Sequence, residues 1–526
     1  MLHPYQRTVL LCLLNWSMAT HLSAQSAPDL TWQLHIGGAA DESGKGMDRT
    51  ADGGYITVGY TTSTNGDAVG NHGGYDALVV KVDSTGAKQW SRCIGGSDND
   101  YPGDVKQTVD GGYIIVGSTW SNDGDVSGNH GESDGWLLKL DGTGQLLWQH
   151  CYGGSDEEGM ASVSLGDDGG YFAVGSSRSN DGDLSGYHGG NDVWAMHLDP
   201  MGALLWSRLL GGSGYEEGNG LASTEGGGCI LIGETSSTDG DVDSLNGGED
   251  VWVVKMDDTG LLEWEETYGG TDLDFGSSIS LTVTGYVITS TTLSDDGDVS
   301  GNHGSFDIWL VGVDDVGSLQ WQHCYGGSGL DIPGTLAPMA GAGYVIAGAT
   351  QSMDGDVTGY HGGTNDAWVI RVSSVGSLIW QSTFGGTGSE GFGKVILDSD
   401  GSLTCFGSTS STDGDATGGL GAPDAWLVKL GPESIGVDEL ALVQELEVFP
   451  VPTTGVVQVR GRLPLAGEVR LAVLDAMGRV VVPEQVQHAA AGMRSWSVDL
   501  TALDPGAYWL RLVADGHSQL RPLLRQ

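Results

Sequence analysis

Basic residues are scarce in this chain: 22 Lys and Arg stand against 69 Asp and Glu, a formal charge of −47 over 526 residues. That imbalance excludes recognition of nucleic acid or an anionic membrane through a basic surface. No run approaches the roughly 20 apolar residues that a membrane helix needs, so no transmembrane helix is expected. Cysteine is rare as well, and apart from Cys12 only Cys93, Cys151, Cys229, Cys324 and Cys405 occur. Cys93, Cys151 and Cys324 hold one position in separate repeat units, too far apart to bridge. A disulfide framework is thereby excluded, and all five read as small buried hydrophobes.

Glycine is abundant instead, 90 residues in all, and it falls at fixed places. Seven tryptophans, Trp32, Trp90, Trp148, Trp206, Trp264, Trp321 and Trp380, recur 57 to 59 residues apart, and the turn residues recur with them. Four strand-length runs per period, separated by Asp-Gly and Gly-Gly turns, predict one propeller blade per unit. In the second unit strands a to d are expected at 105–109, 113–118, 135–140 and 145–151. The last unit stops after its c strand at 424–430, while the chain opens on an orphan d strand at 29–35. Pairing the two would complete a seventh blade and close the ring, removing the free edges of a linear stack. The expected fold class is all-β: a seven-bladed β-propeller of 58-residue repeats closed by its N-terminal strand, plus a C-terminal Ig-like β-sandwich. Trp136, Trp194, Trp252, Trp309, Trp368 and Trp426, with Leu78 in the first unit, should fill the core between sheets rather than stack on sugars.

In such a ring the d-to-a and b-to-c loops share a face, and these long loops hold the repeated acids. A carboxylate stands ten residues after each d-strand Trp, from Glu42 and Asp100 to Glu390. The b-to-c loop pairs an Asp-Gly-Asp with a later Asp: Asp123, Asp125 and Asp134; Asp181, Asp183 and Asp192; Asp296, Asp298 and Asp307; Asp354, Asp356 and Asp366. Oxygen ligands two residues apart around a Gly, with a third carboxylate returning later, make these the candidate calcium loops, although the EF-hand's 12-residue pattern and closing Glu are absent. The competing reading is turn chemistry, in which Asp side chains bond their own backbone. His72, His130, His188, His303 and His361 share a loop position and are expected to brace their loops. No Ser or Cys has a nucleophile setting, so no catalytic residue is assigned.

Residues 1–24 resemble a secretory signal peptide, with Arg7 before an apolar run. The propeller is expected over 25–431, a linker over 432–443 and a second domain over 444–526. Residues 437–526 hold eight Arg and ten Asp or Glu, so the acid excess lies in the repeats. Phe449-Pro-Val-Pro-Thr-Thr-Gly455, Leu474-Asp-Ala-Met-Gly-Arg479 and Leu503-Asp-Pro-Gly-Ala-Tyr508 closely resemble, in order and spacing, the boxes of the C-terminal sorting domain of the Bacteroidetes type IX secretion system. That resemblance implies contact with the secretion machinery and its sortase through 444–526, and delivery through the periplasm to the cell surface or medium. The hairpin Leu140-Asp-Gly-Thr-Gly-Gln-Leu-Leu-Trp148 is similar to those of quinoprotein-like or kelch-like propellers, yet no quinone-binding set accompanies it and no nucleotide motif is present.

Two functions follow as expectations. The first is a non-catalytic surface or secreted module that binds an extracellular glycan or protein with the help of calcium. The alternative is a glycosidase-like enzyme with its site at the channel mouth, which would need two carboxylates of unequal pKa and therefore a break in the repeat. The fourth and seventh units deviate most.

Overall fold

The computed structural model describes residues 27–339 and 343–433, and in the C-terminal part 444–449, 453, 455–463, 467–474, 479–489, 492–503, 505–514 and 517–525. The signal-peptide expectation at 1–24 lies outside the described residues. The chain divides into two compact units, Ser26–Glu433 and a second containing Ser434–Gln526. Every named strand pairing is antiparallel.

The first unit consists of seven four-stranded sheets. Sheets 1 to 6 take their strands consecutively from residues 42–94, 100–152, 158–210, 216–268, 274–325 and 331–384. Sheet 7 joins Glu390–Leu397, Leu403–Thr409 and Asp424–Leu430 to the N-terminal strand Leu30–Ile36. Leu34 pairs with Leu427 and Ile36 with Ala425, and Trp426 Nε1 donates to Gln33 Oε1 at 2.8 Å.

The apolar residues collect in seven clusters, each shared by two successive sheets. One of these joins sheet 7 to sheet 1, through Phe406, Ala425 and Leu427 against Met47, Tyr55 and Leu78. Trp136, Trp194, Trp252, Trp309, Trp368 and Trp426 are fully buried there. Glycine is required where these layers meet. Gly144 turns at φ +80°, and a Cβ on it would lie 2.7 Å from the ring of Trp90 in the preceding sheet. The sheet 7 to sheet 1 junction is also polar: Asp398 accepts from Tyr55 at 2.6 Å and from Lys429 at 3.0 Å, and pairs with Arg49 at 3.3 Å.

Strand a of sheet 2 runs Asp100–Gln107, five residues earlier than expected. Its register shifts between Pro102 and Asp104, leaving Gly103 as the extra residue of a bulge. The inner strands of the other sheets carry a bulge at the corresponding place.

The second unit packs a three-stranded sheet, from Gln444–Phe449, Val456–Leu463 and Gly492–Asp499, with a four-stranded sheet. Val457, Val459, Val469, Leu471, Trp496 and Leu512 share one core.

Candidate functional site: the acidic loops and the axial cavity

The long loops of each sheet lock together before they offer anything to a ligand. Asp123 Oδ1 accepts from the Ser97 backbone N–H at 2.7 Å, and the Asp125 N–H donates to the Gly95 carbonyl at 2.9 Å. Gly124 must sit between them, because its φ is +65° and a Cβ would stand 2.5 Å from the Gly95 oxygen. Asp181, Asp296 and Asp354 likewise accept from Ser155, Thr271 and Ser328. Asp183, Asp298 and Asp356 accept from Gly153, Gly269 and Gly326 at 3.3 to 3.4 Å. Hydrogen bonding from Ser97 and Ser328 holds Asp123 and Asp354 below the usual carboxylate range.

The third acid of each set is buried. Asp134 Oδ2 accepts from the His130 backbone N–H at 3.1 Å and faces His130 Nδ1 at 2.6 Å. The same two contacts join Asp192 to His188, Asp307 to His303 and Asp366 to His361. The three acids of a candidate calcium loop thus serve three backbone tasks. Among the described residues no three His, Cys, Asp or Glu side chains gather in a group that could hold a metal ion.

The histidines also reach between sheets. His72, His188 and His361 extend Nε2 to within 3.7 to 4.0 Å of Asp125, Asp241 and Asp415 in the next sheet. Sheet 7 has Leu420 at this position, and His35 of the closing strand supplies the contact to Asp424 at 3.2 Å. Sheet 4 has Asn246, and only its backbone N–H reaches Asp250 Oδ2.

The carboxylates ten residues beyond each d-strand Trp were expected on the loop face; they are instead buried at the start of strand a. Glu158 accepts from Ser177 at 2.9 Å and from the Gly154 N–H at 2.7 Å. Beside it, Asp134 Oδ1 is buried with no hydrogen-bond partner, as are the Oδ1 atoms of Asp76, Asp192, Asp250, Asp307, Asp366 and Asp424. A Cβ on Gly153 would meet Glu158 Oε2 at 2.6 Å and Asp134 Oδ1 at 2.7 Å, and two carboxyl groups flank Gly95, Gly269 and Gly326 in the same way. Burial, with the added charges of Asp274 and Asp331 respectively, pushes Asp250 and Asp307 up to about 6.

A different chemistry occupies the cavity lined by the bulges of the inner strands. Lys45, Gly103, Asn219, Ser277, Gly334, Thr335 and Gly393, the bulge residues of six inner strands, line a cavity of about 370 Å³ together with Phe275 and Lys394. Lys106 and Lys394 both pair with Asp104, at 2.9 and 3.2 Å. Next to Asn219 the repeat breaks: Glu217 and Glu234 stand opposite each other across strands a and b. The other sheets have Tyr60, Ser118, Ser176, Thr291, Ala349 and Ser408 at the Glu234 position. Tyr215 donates to Glu217, and Asn219 Nδ2 to Glu234 at 2.7 Å. Burial, reinforced by the charges of Glu217 and Glu249, pushes Glu234 up to about 8. Tyr60, Tyr75, Tyr101 and Trp120 form a half-buried aromatic group with centroids 5.1 to 5.8 Å apart. Sequence reasoning passed over these residues because it sought what repeats, whereas their signal is departure from the repeat.

The five cysteines among the described residues are free, and burial raises their thiols, Cys93 and Cys151 to about 12.

Residues 447–524 match the family described as "Secretion system C-terminal sorting domain". The C-terminal unit is a type IX sorting domain, which ties the chain to the type IX secretion machinery and to export to the cell surface or extracellular space. No curated protein matches the chain. Solved structures similar to it include a puromycin hydrolase at 10% identity and TM-score 0.42, covering 83% of this chain and 62% of that one. This chain therefore spans less than two thirds of that protein. A GH43_12 protein from a capybara gut metagenome gives 11% identity and TM-score 0.30, covering 94% and 91%. An apocarotenoid oxygenase of Synechocystis gives 12% identity and TM-score 0.30, covering 78% and 95%. No helix among the described residues is long and apolar enough to cross a membrane.

Proposed function

We propose that residues 25–431 are a closed seven-bladed β-propeller, exported behind a signal peptide at 1–24 and delivered by the sorting domain, whose loop face binds an extracellular glycan or protein without catalysis. The observation that carries this reading is the interlocking of the long loops. In every sheet the b-to-c loop accepts from, or donates to, the loop that follows strand d, and at three junctions a histidine reaches the next sheet. All the long, acid-bearing connections then belong to one continuous rim.

We assign calcium to this rim as an ion held jointly by one loop carboxylate and the bound ligand. Asp183 is exposed and Asp125, Asp298 and Asp356 are half-buried in their loops, where a ligand's hydroxyl or carboxylate would complete a shell of oxygens. Calorimetry of the full chain with millimolar calcium, with and without a glycan panel, tests both parts. Heat on calcium addition and a higher melting temperature support the ion, and identical melts in chelator and calcium remove it. Retention of a glycan without release of sugar supports the binder.

The alternative, a glycosidase-like enzyme, draws on one observation, the cross-strand pair of Glu217 and Glu234 next to Asn219, with Glu234 raised to about 8. In that reading Glu234 donates the proton and Glu217, which accepts from Tyr215, is its partner carboxyl. Sugar release that Glu234→Gln abolishes would establish it.

A further inference from the structure

The lysines of this protein are few, and all but one are neutralised. Lys81, Lys88, Lys139, Lys255 and Lys429 pair with Asp52, Asp67, Asp110, Glu263 and Asp398, while Lys106 and Lys394 share Asp104. Lys45 alone has no carboxylate partner among the described residues; its Nζ rests 5.4 Å from the centroid of the Tyr60 ring. In a chain of charge −47 an unpaired cation is conspicuous, and this one lines the axial cavity.

Its position has a structural cause. Each inner strand contributes a bulge, a device that re-aims one side chain, and six of these bulges are represented in the cavity wall. Most bring Gly, Ser or Thr and so leave room. Two bring longer polar groups, Lys45 from sheet 1 and Asn219 from sheet 4. Asn219 spends its Nδ2 on Glu234 Oε2 and the Gly276 carbonyl, which leaves its Oδ1 as an acceptor. Half-buried Phe275 adds an apolar surface to the same wall. The volume, about 370 Å³, lies in the range of small-molecule sites, roughly 300–1,000 Å³.

From this juxtaposition we infer that the axial cavity is a ligand site for an acidic saccharide, in which Lys45 takes the sugar carboxylate, Asn219 Oδ1 accepts from a ring hydroxyl and Phe275 covers the apolar face of the ring. It goes beyond the binding reading, which places its ligand on the loop face, and it rests on the ring being closed. It does not depend on calcium or on the acidic rim.

The test is calorimetric titration of the full chain with trigalacturonate, maltotriose and acetyl-Gly-Gly. Trigalacturonate should bind, maltotriose at least tenfold more weakly, and Lys45→Met should weaken trigalacturonate at least tenfold while Lys45→Arg retains it. The Lys45 variants should melt with the parent, since no ion pair is lost. The rim variant Asp125→Asn should leave this affinity unchanged, whereas a ligand of the loop face would respond to Asp125→Asn and ignore Lys45→Met. Failure of trigalacturonate to bind, or binding indifferent to Lys45, overturns the inference. Capture of acetyl-Gly-Gly in preference to trigalacturonate overturns the saccharide and makes the site one for a peptide carboxylate.

Discussion

At the scale of single residues, the repeated acids support the scaffold and the exceptional residues mark the site. Gly153 must remain glycine although its backbone angle is ordinary, because a Cβ would collide with Glu158 and Asp134. Gly153→Ala should therefore destabilise the first unit by roughly 1–3 kcal/mol in chemical denaturation. Glu234 gives a second expectation, with its sign set by linkage. Its carboxyl is held at about 8 in the fold against a reference value of 4.5. The folded state thus binds the proton more tightly, and stability is lost as pH rises from 4.5 through 8. Glu234→Gln removes that loss, so at pH 9 the variant should be the more stable by roughly 1–3 kcal/mol, and at pH 4 the two should unfold alike. Part of this was legible in the sequence. Asp-Gly-Asp was readable as either a cation loop or a turn, and the hydrogen bonds of Asp123, Asp125 and Asp134 are those of turns. The pairing of Asp134 with Glu158 was not readable, because a contact between successive sheets leaves no local pattern. Lys45 gave no signal either, since its significance depends on a bulge.

Among the elements, each sheet is one period of the sequence, and this part of the fold was the most legible. Tyr113–Thr119, Asp134–Leu140 and Leu146–Tyr152 fall within a residue or so of the expected strands b, c and d. Strand a was placed too late for a physical reason: it begins on a buried acid, Asp100, and its bulge at Gly103 breaks the alternation of two that reveals a strand. The strand at Leu30–Ile36 carries the greatest weight of any single element. It covers the edge of Asp424–Leu430 and supplies His35 to Asp424 where the loop has only Leu420. Deleting residues 27–36 should expose that edge, lower the melting temperature and produce association between chains, seen as higher-order species in light scattering. A deletion variant that stayed monomeric with an unchanged melt would contradict this role.

For the first unit as a whole, acid suits the fold better than base. Asp250 and Asp307 are raised to about 6 and Glu234 to about 8, chiefly by burial. His130 is raised by its hydrogen bond to Asp134, so its contribution is present below its unfolded value near 6.5 and fades as pH climbs through the folded one. All four bind protons more tightly when folded, and their stabilisation declines between about pH 4 and 8. Opposite in sign are Asp52 and Asp110, where hydrogen bonds led by Thr50 and Thr108, together with Lys81 and Lys139, outweigh burial and bring the carboxyls to about 2. These lose stability only as pH falls from the reference value of 3.8 through 2. The melting temperature should therefore peak near pH 4, where the two windows meet, and lie roughly 5 °C lower at pH 8.5. The sorting domain was legible from three short boxes, whereas nothing in the repeat spelled out a ligand, because fourteen of its acids turn inward as paired structural groups.

The proposed ring closure underlies the shared rim, the axial cavity and the covered edge alike, and cross-linking reaches it most directly. Leu34 and Leu427 are 393 residues apart in sequence yet face each other across the pairing of the first strand with the last sheet, a separation within the span of a disulfide. Leu34→Cys combined with Leu427→Cys, oxidised in dilute solution and read by peptide mass spectrometry, should give a link within each monomer. Free thiols, or links only between chains, would show that the ends do not meet.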